Sequence, residues 1–168
     1  IGCDLNKDNS EINGYISDFY ISKTYHQNRN IDIEPIEMLD IDYIPNEAGF
    51  NDKVSGGQWI RSETGDHDLN KYVADSSFAV VYLYKKIFSK DPTNIYFLLS
   101  LTDGVKLYVN ENLINIHYGN NYTKEGDIIL GELKSGDNSI VIKTINKDWD
   151  WKIKCEILDE KQAQLIID

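Results

Sequence analysis

Residues 93–118, TNIYFLLSLTDGVKLYVNENLINIHY, and residues 128–158, IILGELKSGDNSIVIKTINKDWDWKIKCEIL, decide the fold. In Asn94–Leu101 and Val105–Val109 apolar side chains alternate or run on unbroken, and no window repeats with the 3.6-residue period of a helix. Asp103-Gly104 and Gly136-Asp137-Asn138 supply turn chemistry, glycine because it takes a positive φ without a Cβ clash. The closing piece places Trp149, Trp151, Ile153, Cys155 and Ile157 on one face and Lys152, Lys154 and Glu156 on the other, the pattern of a strand with one buried side. The chain is predicted to be all-β.

Further strands are expected at Tyr15–Ser22, Phe78–Phe88, Leu113–His117, Asp127–Glu132, Asn138–Ile145 and Asp150–Leu158. About eight or nine strands suit a two-sheet antiparallel jelly-roll β-sandwich, with Trp151, Ile153, Ile142, Leu107, Leu99 and Leu83 inside. Residues 1–14 form a polar lead-in, 15–158 the sandwich and 159–168 a tail that reads equally as a helical turn, a last strand or a linker. Residues 23–75 are mostly loop: Pro35 and Pro45 interrupt pairing, Asp40–Ile44 alternates like an edge strand, and a short strand sits around Trp59-Ile60.

Composition narrows the function. With 168 residues and 41% hydrophobic content the chain supports one core without metal or disulfide. A net charge of −11, with Lys85-Lys86 the only adjacent basic pair, argues against nucleic acid as a partner. Residues 1–70 carry 14 acids against 5 bases and residues 71–168 carry 14 against 12, so a cation site is expected in the first half. There Asp4, Asn6 and Asp8 have the spacing of a calcium loop. Asn9 stands where that loop needs glycine and Tyr15 where it needs a bidentate acid, so a solvated acidic loop is the plainer reading and a structural calcium the sharper one. Asp66-His67-Asp68 contains one histidine, expected at the surface, and the histidines at 26, 67 and 117 have no zinc spacing.

No apolar run reaches the ~20 residues of a membrane span. Ile1-Gly2-Cys3-Asp4 resembles the end of a bacterial lipobox, which would make Cys3 a lipid anchor and the sole membrane contact; the plain alternative is an ordinary cysteine near a chain end.

The order of SLTDGVKLYVN (100–110), LKSGDNSIVIKTI (133–145) and WDWKIKCEI (149–157) resembles the galactose-binding-like β-sandwich modules attached to secreted bacterial enzymes and surface proteins. Two turns depart from that pattern: Asn110-Glu111 stands for the usual Asn-Gly, and Lys23-Thr24-Tyr25-His26 for Gly-Pro-Phe. The resemblance implies an extracellular or surface-bound accessory module, beside neighbouring domains of a larger protein. Its matching motifs are turns and core residues, so function is expected in loops. HYGNNYT (117–123) combines two aromatics with paired amides, and the expected glycan site pairs Tyr118 and Tyr122 as stacking residues with Asn121 and Arg61 as hydroxyl partners, Trp59 being a further candidate. Trp59 and Trp149 read as core plugs before they read as platforms. No nucleophile elbow, Cys–His pair or phosphate loop is present, which argues against an enzyme, a lyase or glycosidase being the exception. Two readings stand: a carbohydrate-binding module, and a ligand-free domain that spaces or docks its neighbours.

A disulfide between Cys3 and Cys155 is the one pairing available, and the inward side of Cys155 argues against it. Titration with a thiol reagent should find one reactive cysteine in the native protein and two in denaturant; none in denaturant would establish the disulfide.

Overall fold

Alternation with period two lets each long strand bury one face, and two sheets then close those faces on each other. The computed structural model describes residues 14–27, 34–117, 127–147 and 150–167. In chain order its strands are β1 (Gly14–Tyr15), β2 (Asp18–Ile21), β3 (Tyr25–His26), β4 (Gln58–Arg61), β5 (His67–Asp68) and β6 (Ala79–Ser89). There follow β7 (Thr93–Leu101), β8 (Val105–Val109), β9 (Asn112–His117), β10 (Asp127–Leu133), β11 (Gly136–Asn146) and β12 (Lys152–Leu158), and then one helix, α1 (Glu160–Ile167). One sheet runs β1-β12-β7-β10 with β5 beside β12; the other runs β4-β2-β6-β11-β8-β9 with β3 beside β6. The recorded strand pairs are antiparallel, and from β6 to β12 the chain passes between the sheets in the manner of a jelly roll. The fold is a two-sheet antiparallel β-sandwich, as predicted.

Leu83, Leu99, Leu107, Ile142, Trp151 and Ile153 all lie in the core between the sheets. Trp151 is fully buried and its indole N–H donates to Thr144 Oγ1 at 3.1 Å, so the polar edge of the ring is satisfied. Cys155 is a free thiol in the same core, and burial pushes its pKa up to about 12.

Two local expectations are corrected, and one that was left open is decided. Tyr15–Ser22 is not one strand: β1 pairs with β12 in one sheet and β2 with β4 and β6 in the other, so the chain changes sheets at Ile16-Ser17. The buried residues Ile16, Phe19 and Ile21 carry the mark of this, because the step from 16 to 19 breaks the alternation. Asp40–Ile44 is not an edge strand. Pro35–Asp40 forms a 3₁₀ helix, Glu47–Gly49 another, and the segment lies as a strap over the outer face of the larger sheet. The tail is helical.

The strap gives the larger sheet a second core. Met38, Leu39 and Phe50 pack against Val80, Tyr82, Tyr84, Tyr108, Val141 and Ile145, the outward-facing residues of β6, β8 and β11. Lys143 stands among them, fully buried. Its ammonium donates to the carbonyls of Leu39, at 2.9 Å, and Ile41, and to Glu47 Oε2 at 2.8 Å. Glu47 also accepts from Tyr82 Oη at 2.8 Å and Tyr108 Oη at 2.6 Å. The alternation of Asp40–Ile44 therefore reports a segment apolar on its sheet side, whose backbone acceptors are taken by a lysine instead of a neighbouring strand.

Burial alone would raise the Glu47 carboxyl, but hydrogen bonds from Lys143, Tyr108 and Tyr82 outweigh it and hold the group below its ordinary 4.5. Its stabilisation is thus complete above pH 4.5 and is lost as pH falls through the lowered value. Glu47→Ala leaves Lys143 buried without its counter-ion and should cost about 3–5 kcal/mol at neutral pH, a fall of roughly 10 °C in Tm for a domain of this size. Thermal denaturation at pH 7 checks this, and a loss below about 1 kcal/mol would show that the pair does not hold the strap.

A candidate binding groove beside Trp59

The outer face of the larger sheet carries a row of residues in register across five strands: Trp59 on β4, Tyr20 on β2, Tyr84 on β6, Val141 on β11 and Tyr108 on β8. The strap sets how much of that row is sealed. Phe50 stacks on Tyr20 with ring centroids 6.0 Å apart, and Tyr20 Oη donates to the Val54 carbonyl at 2.6 Å. Beyond this contact the strap no longer covers the sheet. Trp59 packs edge-on against Tyr20, with centroids 5.7 Å apart, and remains 50% exposed. It is not a core plug, because β4 is an edge strand whose outer face the strap does not reach.

Next to Trp59 lies a cleft of about 560 Å³, with Asp18, Tyr84, Lys86 and Ser139 from the strands, Gly49–Lys53 from the strap and Glu111 from the β8–β9 turn. A second hollow of about 400 Å³ shares Tyr84, Lys86, Glu111 and Ser139 with it and extends toward Asn110 and Lys134. Together they form a groove across the strands. From β4 to β8 it spans four inter-strand spacings, or about 19 Å. Half of its charged side chains are matched in pairs: Lys85, nearly buried, holds Asp18 at 2.6 Å, and Lys86 lies 3.7 Å from Asp137.

Of the residues singled out in the sequence, Trp59 lines this groove. Arg61 is exposed on the same strand, opposite Asp18. Tyr118, Asn121 and Tyr122 lie outside the described residues, as do Asp4, Asn6, Asp8, Cys3 and Trp149. The last described residue before 118, His117, ends β9 at the far edge of the sheet from β4, and its Nδ1 is 3.0 Å from Asp127 Oδ2. Among the described residues no three His, Cys, Asp or Glu side chains gather as a metal site. Tyr84, Asp52 and Glu111 were not singled out; Tyr84 and Asp52 gave no local signal, whereas Glu111 stood out as a departure from an Asn-Gly turn.

His67 corrects a second expectation. It faces the interior, edge-on to Phe19 with centroids 5.1 Å apart, and its Nε2 is 3.0 Å from the Ile16 carbonyl. Pairing of β5 with β12 sets His67 opposite Ile153, which turns the ring inward and away from Asp66 and Asp68 as co-ligands at the surface.

No family model and no curated protein sequence matches the chain. Among solved structures, an anti-sigma factor domain-containing protein aligns over 96% of this chain and 48% of its own, at 14% identity with a TM-score of 0.52. The β-glucosidase from Kluyveromyces marxianus aligns over 85% of this chain and 17% of its own, at 12% identity and again 0.52. A family 35 carbohydrate binding module from Clostridium thermocellum aligns over 56% of this chain and 86% of its own at 18% identity, but its TM-score of 0.37 is too low to carry an argument. These likenesses are of fold. The chain spans less than half of the length of the two longer proteins.

Burial lowers the pKa of His67 below its ordinary 6.5, against the opposing pull of the Ile16 carbonyl and Asp18. The unfolded chain takes up this proton near 6.5 while the folded chain does not, so stability should fall as pH drops from 6.5 toward the lower folded value. Proton NMR should show the His67 ring titrating below 6.5, with zinc leaving it unshifted. Titration at or above 6.5 with a zinc-dependent rise in Tm would restore Asp66–Asp68 as a metal site.

Proposed function

We propose that this chain is a non-catalytic carbohydrate-binding module of galactose-binding-like architecture, an accessory domain of a larger secreted or surface protein. The observation that carries the reading is Trp59, half exposed at the mouth of a polar groove. An indole left facing water forgoes much of its burial energy. A pyranose recovers that energy by stacking its apolar C–H face on the ring, while hydroxyls, amides and carboxylates in the groove take its O–H groups. The open, elongated shape suits part of a polysaccharide chain better than one enclosed sugar. The sandwich resemblance in residues 100–157 supports the accessory role, as does alignment with segments of longer proteins.

The strongly perturbed tyrosines belong to the anchor of the strap and line neither hollow of the groove. Burial and the neighbouring Glu47 carboxylate raise the pKa values of Tyr82 and Tyr108, and both hydroxyls are committed to Glu47 beneath the strap. They are sealed structural groups, not acids or bases open to a substrate.

Trp59→Ala should reduce affinity for the best-bound polysaccharide about thirtyfold, or ~2 kcal/mol, while stability changes by no more than about 1 kcal/mol. A glycan array followed by calorimetry on wild type and variant checks this. Failure of the wild type to bind any glycan would favour the ligand-free spacer, and unaltered binding by the variant would remove the groove from the site.

A further inference from the structure

Glu111 occupies a backbone conformation that glutamate disfavours. The two-residue turn between β8 and β9 has φ of +49° at Asn110 and +67° at Glu111, the left-handed pair that tight hairpins demand and that Asn-Gly satisfies best. Asn110 is accounted for by its contacts. Its amide donates to Asn138 Oδ1 at 2.7 Å, its side-chain oxygen accepts from the Ser139 N–H at 3.0 Å, and these bonds tie the turn to β11. Among the described residues no such bond accounts for Glu111, whose Cβ makes the left-handed conformation unfavourable where glycine would carry no such cost.

What Glu111 gains is position. Its side chain lines both hollows, at the point where they join. The strap comes close to it: a Cβ added at Gly49 would meet Asn46 Nδ2 first, and Glu111 Oε1 at 3.1 Å, so the carboxylate lies directly beside the strap backbone. A strained turn on one side of the groove and the bare backbone of Gly49 on the other thus place one carboxylate where the two hollows meet. Resting on the glycan reading above, we infer that Glu111 is a specificity-determining residue that accepts two neighbouring hydroxyls of a neutral sugar. A carboxylate offers two acceptor oxygens and no donor, which matches a vicinal diol. It repels a uronate. The groove has no cationic surplus to offset that repulsion, since its lysines and carboxylates are four each.

The test separates this assignment from the reading it rests on. Wild type, Trp59→Ala, Glu111→Gly and Glu111→Gln are screened against neutral gluco-, xylo-, galacto- and manno-oligosaccharides and against polygalacturonate, and the tightest interaction is measured by calorimetry. Glu111→Gly should raise Tm by about 2–4 °C through release of the strained turn and yet weaken binding of a neutral oligosaccharide about tenfold or more. Glu111→Gln keeps the strain, so it should lose affinity without the gain in Tm. Wild-type binding that is abolished by Trp59→Ala but untouched by Glu111→Gly overturns the role of Glu111 and leaves the groove as the glycan site. Preference for polygalacturonate overturns the neutral-sugar assignment, an unchanged or lowered Tm in Glu111→Gly overturns the strain, and absence of wild-type binding removes the site altogether.

Discussion

One ammonium group organises the outer half of this molecule. Lys143 projects from β11, a central strand, into the layer between the larger sheet and the strap, where an apolar side chain would be the simpler choice. A buried charge is costly unless matched, and here the matching groups all belong to the strap: two backbone carbonyls and the Glu47 carboxylate. The strap can dock in only one register, because a shift of one residue would leave the ammonium without its acceptors. Tyr82 and Tyr108 extend the specification by fixing the second partner of the pair. Hydrophobic contact alone between Phe50, Met38 and the sheet would permit sliding; the ion pair does not.

The groove is a by-product of that docking. The strap stops short of β4, so the row of aromatic residues that begins sealed at Tyr108 ends open at Trp59. One wall is therefore strap and the floor is sheet, and both are held by the second core. A site built on such parts loses little conformational entropy when occupied, since its walls are already ordered.

The long strands were legible in the sequence because their apolar residues alternate or run on unbroken without a helical period, and because most of them end in turn residues. β8 was readable to the residue, and β7, β10 and β11 nearly so. What failed did so where one sequence pattern has two physical causes. Asp40–Ile44 alternates because one side of the strap is apolar, which a strand would also produce. Tyr15–Ser22 looks like one strand because both of its halves are extended, although they belong to different sheets. Lys143 gave no signal in the sequence: it is buried because a segment a hundred residues away covers it, and nothing local marks such cover. Within the groove, the oddity of Asn110-Glu111 could be seen in the sequence. Its neighbours Tyr84 and Asp52 could not, because they are brought there by sheet register and by the strap.

The strand order has a further consequence, for the way the chain reaches this state. β11 lies between β6 and β8, and β12 between β1 and β7, so the last two strands in sequence fill the middle of both sheets. Until they are present, β6 and β8 have no common neighbour, β1 has nothing to pair with, and the strap has no ammonium to receive it. Assembly is thus dominated by contacts between distant parts of the chain, which makes folding slow and cooperative. During synthesis the first three quarters of the domain must wait with their strand edges unpaired. Apart from Glu47 and Asp18, which the folded domain pairs with buried lysines, the acids of residues 1–70 give such waiting chains a net negative charge that opposes their association.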